Sequence, residues 1–193
     1  MLSSNDIKWN YGFDAVGIVK EISKSIIILG VESTPDRDLD EFLGGEHWRT
    51  LGFEKHFIPK TKELRRDIKK RGYKIRQERN PNFPIKKYAV ISGIGLQGKN
   101  TLVIHPVFHA RLRFIALITN MPMEPSCPQI YEQKPNLRCA KCNFCIEECC
   151  EKVLEEYRLS DKTKCKAYMQ LDDPTPGQIR CNICWKACEV DKG

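Results

Sequence analysis

The chain lacks any apolar run long enough to cross a bilayer. The runs Ile26-Ile27-Ile28-Leu29 and Phe114-Ile115-Ala116-Leu117-Ile118 are four and five residues, against the roughly 20 that a membrane helix needs. It also lacks the basic segment followed by an apolar stretch that marks an export signal, since it opens Met1-Leu2-Ser3-Ser4-Asn5-Asp6. Those two absences predict a cytoplasmic protein without a membrane partner. They also weigh against a disulfide framework, because disulfides persist in oxidising compartments. Hydrophobic residues at 41% and charged residues at 30% exclude a disordered chain. A length of 193 residues allows one core plus a smaller lobe built around a cofactor.

What is plentiful is cysteine. There are ten, and in a reducing compartment that number points to metal binding. Cys139-Ala-Lys-Cys142-Asn-Phe-Cys145-Ile-Glu-Glu-Cys149 has the C-x2-C-x2-C-x3-C spacing with which bacterial ferredoxins hold [4Fe–4S] clusters. In that pattern the fourth Cys crosses to a neighbouring cluster. A second run, Cys181-Asn-Ile-Cys184-Trp-Lys-Ala-Cys188, repeats the last three positions, with Gln178 where its first Cys would stand. Cys165 is available for the vacancy. The exchange rule assigns Cys139, Cys142, Cys145 and Cys188 to one cluster, and Cys181, Cys184, Cys149 and Cys165 to the other. Cys127 and Cys150 remain as plain thiols, with Cys150 the substitute if Cys165 is not a ligand. Zinc uses the same ligand type in two C-x2-C pairs, but it does not require the x3 step that both runs contain. The formal charge of +7 overstates a protein carrying two such clusters, each adding about −2.

The rest of the chain reads as an α+β lobe. Phe13–Val19 and the β-branched run Ser25–Val31 are strands, the second of them central and buried. Between Glu32 and Pro59 the breakers Pro35, Gly44, Gly45 and Gly52 interrupt any pattern, with a short helix over Asp38–Leu43. Thr61–Arg71 is a helix capped by Thr61, with Glu63 in its first turn and Gly72 as its stop. Tyr73–Arg76 is a short strand, and Pro84–Ser92 a helix with Pro84 at its start. Thr101–His105 and Leu112–Thr119 form a hairpin. The proline-rich Met121–Pro128 sets the lobe boundary, giving an α+β lobe over 1–126 and a double-cluster lobe over 127–193.

Gly93-Ile-Gly95-Leu-Gln-Gly98-Lys99-Asn100 approximates both a dinucleotide fingerprint and a P-loop. It follows a helix rather than a strand, and Asn100 stands where a P-loop has Ser or Thr, so both readings fail on context. A tight helix-to-strand loop remains, with Lys99 and the loop amides facing an anion or a cofactor edge. His105 and His109 cannot share a helix face across Pro106. The run from Lys60 to Lys87 carries twelve Lys and Arg against Glu63, Asp67 and Glu78. It is either a solvated face or a surface for an acidic partner, such as RNA phosphates or an acidic electron donor. Trp185, between two cluster ligands, shields a cluster from water.

Three stretches resemble the epoxyqueuosine reductase and reductive dehalogenase group: Gly12–Gly17, Lys87–Pro125, and Cys139–Cys188 including Cys165-Lys-Ala-Tyr168. The resemblance implies a nitroreductase-like α/β lobe followed by a ferredoxin-like double-cluster lobe. It further implies base-off cobalamin reduced by the clusters, with Gly95, Gly98, Lys99 and Asn100 on the cofactor side. A ferredoxin- or flavodoxin-like partner would supply electrons. Much of the family's N-terminal cobalamin enclosure has no counterpart here, so cobalamin binding is expected to be weak or partner-dependent. By count, Arg79 occupies the position of the family's catalytic Asp. Arg cannot donate a proton as that Asp does, so the resemblance carries the fold and the redox chemistry but leaves the tRNA-modifying step without its acid. The leading reading is an iron–sulfur redox protein passing electrons to a corrinoid. The competing readings are a non-catalytic ferredoxin-like carrier and a zinc-stabilised RNA-binding module.

Overall fold

The computed structural model describes residues 2–43, 52–127, 136–167, 175 and 177–189. Gly44, Gly45, Pro128 and Tyr168, used above, lie outside them. Helix α1 (Ser4–Tyr11) opens the chain, closed at its start by the reciprocal Ser3–Asp6 capping box. Strands β1 (Ala15–Lys20) and β2 (Ser25–Glu32) pair antiparallel. Helix α2 (Gly52–Lys70) and strand β3 (Ile75–Gln77) follow, then α3 (Ile85–Ile91), β4 (Leu96–Gln97), β5 (Val103–Ile104) and β6 (Leu112–Thr119). The main sheet runs in the order β1-β2-β6-β3, antiparallel throughout.

The apolar character of β2 follows from its place in this sheet. Ile27, Leu29 and Val31 pack with Phe57, Leu64 and Ile68 of α2 on one face. Ile26 and Ile28 pack with Ala89 and Ile91 of α3 on the other. A strand covered on both faces loses the polar alternation of a half-exposed one. Each such side chain contributes roughly 1.5–3 kcal/mol by burial. Helix α3 comes so close to β1 that a Cβ on Gly17 would lie 2.0 Å from Ser92 Oγ, so this strand position has no room for a side chain. Tyr11 joins α1 to α2 by donating to Asp67 at 2.9 Å. Burial and the neighbouring carboxylate together push its phenol up to about 12.

Three features differ from the sequence reading. Helix α2 begins at Gly52 and runs through Pro59, so Thr61 is not a cap. Thr61 is buried in the helix, its hydroxyl donating to the Phe57 carbonyl at 2.6 Å. Asp38–Leu43 is not helical. Asp38 accepts from the Asp40 amide, and the segment pairs in extended form with 177–180: Gly177 N donates to Phe42 O at 2.7 Å and Phe42 N to Gln178 O at 2.9 Å. The expected hairpin partners separate. β5 pairs with β4, whereas β6 lies between β2 and β3. Between them the chain reverses at His105–His109, joined by backbone hydrogen bonds of 2.8 and 2.9 Å. Met121 and Met123 enter the core, and Ser126 Oγ accepts from Ile18 N at 2.7 Å.

The remaining elements are short: a 3-10 turn (Leu137–Cys139), α4 (Phe144–Glu147), the ribbon β7 (Leu154–Glu155) with β8 (Arg158–Leu159), and α5 (Ile183–Lys186). Few of their side chains are buried. Helices α4 and α5 pack together, and each lies within a cysteine run.

Candidate metal centre

The loop between β4 and β5 holds the cysteine segment in place. Gly98 N donates to Leu102 O at 2.8 Å and Thr101 N to Gly98 O at 2.9 Å, closing a tight turn. The buried Lys99 side chain reaches Asn143 Oδ1 at 2.9 Å and Glu156 at 2.8 Å. Its carbonyl accepts from Tyr157 N at 2.9 Å. Asn100, 2% exposed, donates from Nδ2 to the Cys184 carbonyl and to Cys188 Sγ, both at 3.1 Å. Gly95 gives this loop its closeness, because a Cβ there would meet the Ile104 carbonyl oxygen at 2.4 Å. Gly95, Gly98, Lys99 and Asn100 therefore face the protein's own β5 and cysteine segment.

Two cavities open among the cysteines. One, of about 610 Å³, is lined by Cys139, Cys142 and Cys188. Cys145 is buried on α4, with Cys188 as its neighbour. The interaction of the two thiols pulls Cys145 down to about 7 and pushes Cys188 up, with the charges of Cys139 and Cys142 adding to the rise. Cys188 of the second run therefore sits with the three leading cysteines of the first. The other cavity, of about 260 Å³, is lined by Cys149, Cys150, Cys165, Cys181 and Cys184. Burial pushes Cys184 up to about 11, reinforced by Cys181 and Cys165. Cys127 lies apart, donating to Ile91 O at 3.3 Å.

The second cavity has cationic walls. Lys86, Arg113, Lys166 and Arg180 line it against Asp40 and Glu151. Arg113 grips Asp40 at 2.6 Å and lies 5.7 Å from the Trp185 ring centre. Arg111, immediately before the same strand, bridges Glu32 and Glu189 at 2.7 Å each. Sequence reasoning passed over these arginines, although charges at alternate positions where an otherwise apolar strand begins were a visible signal. Among the described residues, the buried N–H donors Arg180 Nε, Asn182 Nδ2 and Trp185 Nε1 of the second cysteine run and its approach have no hydrogen-bond partner. A buried donor without a partner carries a desolvation cost, and the sulfur atoms of an iron–sulfur cluster accept such bonds. The residues present thus fit an anionic, sulfur-rich group. Among the described residues, no three His, Cys, Asp or Glu side chains are grouped to hold a single metal ion. His105 is taken up locally, its Nδ1 accepting from the Val107 and Phe108 amides at 3.0 and 3.2 Å.

This is a mixed α/β fold that resembles the structures of epoxyqueuosine reductase and reductive dehalogenase. Superposed on a crystal structure of epoxyqueuosine reductase with an epoxyqueuosine-modified tRNA-Tyr stem loop, it gives a TM-score of 0.68 at 16% identity, covering 95% of this chain and 63% of that one. A reductive dehalogenase structure gives 0.67 at 16% identity, covering 95% and 30%. In sequence, the chain is similar to the epoxyqueuosine reductase of Listeria monocytogenes, 30% identical over 113 residues. That match covers 53% of this chain and 28% of the relative. No family model matches. The likeness to this group is shown as a partial and divergent one.

Proposed function

We propose that the protein is a redox protein holding two [4Fe–4S] clusters. In this reading one sits at Cys139, Cys142, Cys145 and Cys188, and the other at Cys149, Cys165, Cys181 and Cys184. The observation that carries it is the meeting of Cys188 with Cys145, 43 positions earlier in the chain, beside a separate cavity lined by the other four. Crossed ligands are what the ferredoxin spacing demands. Bound clusters supply one-electron transfer at low potential. The protein's own residues fix the ligands. Asn100 donates to Cys188, Lys99 anchors the start of α4 through Asn143, and Trp185 and Arg113 close one side of the second cavity. In this reading residues 1–126 form a nitroreductase-like lobe and 127–193 a ferredoxin-like one.

Electrons would arrive from a ferredoxin- or flavodoxin-like donor. Lys62, Arg65, Arg66, Lys69 and Lys70 of α2 line one shallow basic groove, suited to an acidic protein or to RNA phosphates. A tRNA stem loop accompanies one of the structural relatives. No helix among the described residues is long and apolar enough to cross a membrane.

The acceptor in this family is a corrinoid. The loop residues expected to face it, Lys99 and Asn100, are engaged by Glu156, Asn143 and the cysteine segment. This supports weak or partner-dependent cobalamin binding and leans towards an electron carrier. Anaerobic protein mixed with hydroxocobalamin and then desalted is expected to retain well under one equivalent. Stoichiometric retention with a base-off spectrum would make a corrinoid enzyme the better reading.

A further inference from the structure

Five thiols line the second cavity, although a [4Fe–4S] cluster takes one protein ligand per iron. The surplus is Cys150. It follows directly on Cys149, it lines the same cavity as Cys181, and its residue is exposed. Of the four ligands assigned to this cavity, Cys165 alone lies outside both cysteine runs. It sits on a turn of its own, closed by Cys165 N donating to Lys162 O at 3.3 Å. The neighbours of Cys150 and Cys165 are joined, since Lys166 pairs with Glu151 at 2.8 Å. That ion pair holds the two turns side by side, with both cysteines on the same cavity.

Resting on the two-cluster reading, we propose that Cys150 is a reserve ligand of the second cluster, able to take the iron that Cys165 holds. In the exchange a Cys150 S–Fe bond forms as its thiol gives up a proton. The Cys165 S–Fe bond breaks and that thiolate takes up a proton. No iron or sulfide changes oxidation state, so neither oxidant nor reductant is required. The second cluster would thereby survive loss of its most weakly tethered ligand.

The test compares the full-length wild type with Cys165→Ala, Cys150→Ala and the double variant, all purified anaerobically. Iron and sulfide are counted per chain, and EPR spectra are taken after dithionite. Alanine is used because it cannot bind iron. Cys165→Ala is expected to keep about eight iron with a changed EPR signal, as exchange of one thiolate requires. Cys150→Ala should match the wild type, and the double variant should fall to about half the iron. Its remaining iron, held by the first run and Cys188, reports that the chain has folded. Loss of iron from Cys165→Ala alone, or full iron in the double variant, would overturn the proposal. A wild type holding zinc instead of iron would sink the two-cluster reading itself, a result distinct from either.

Discussion

Replacing Cys188 by alanine is expected to remove the cluster at Cys139, Cys142 and Cys145, and to leave the one at Cys181 and Cys184, its own neighbours in sequence. The geometry explains this inversion. Helix α5 ends at Lys186, and the turn beyond it delivers Cys188 to Cys145. Cys184, one helical turn earlier, faces Cys181 and Cys165. The first run has the mirrored arrangement: Cys145 is buried on α4, and Cys149, past the helix end, lines the opposite cavity. Cys149→Ala, made together with Cys150→Ala so that no adjacent thiol replaces it, should therefore remove the second cluster. Each change should cost about half of the iron, because each cubane holds four of the eight. The two variants should also leave different reduced EPR spectra. If Cys149→Ala/Cys150→Ala loses the same cluster as Cys142→Ala, the crossed assignment is wrong.

Gly95→Val should lower both stability and cluster content. A Cβ at this position would meet a backbone oxygen, that of Ile104, at 2.4 Å. No rotamer change relieves such a contact. Relief requires the β4–β5 pair, registered Leu96 to Ile104 and Gln97 to Val103, to part. Overpacking of this kind costs about 1–3 kcal/mol, or a fall in Tm of roughly 2–12 °C for a chain of this size. Thermal unfolding of the anaerobic protein reads the first effect. The second is read as visible absorbance per chain, since the displaced loop carries Asn100 away from Cys188 and Cys184. An unchanged Tm with full absorbance would show that the loop does not brace the cysteine segment.

Sequence patterns reported the local physics faithfully and long-range pairing poorly. The strand over Ser25–Val31 was legible because a run apolar on both faces has few other destinations. The helix behind Pro84 was legible from its start signal and its apolar side. The first half of α2 was hidden by Pro59, which ordinarily ends a helix, and burial of Phe57 on the sheet overrides that preference. Asp38–Leu43 was misread because its partner, 177–180, is remote in sequence. The same blindness placed Leu112–Thr119 opposite its nearest neighbour rather than between β2 and β3. At the candidate site, the cysteine spacing marked the residues that line the two cavities, whereas Asp40 and Glu156 had no local motif to mark them. The Gly95–Asn100 stretch was legible as glycine-rich, but spacing alone did not show that Gly95 lies against the Ile104 carbonyl.

The central claim is that these cysteines hold two cubane clusters, and metal analysis of anaerobically purified protein tests it most directly. Iron, sulfide, zinc and cobalt are counted per chain, and the visible spectrum is followed on addition of dithionite. The account predicts about eight iron and eight sulfide, a brown protein, and absorbance that bleaches on reduction. Stoichiometric zinc in place of iron would contradict it.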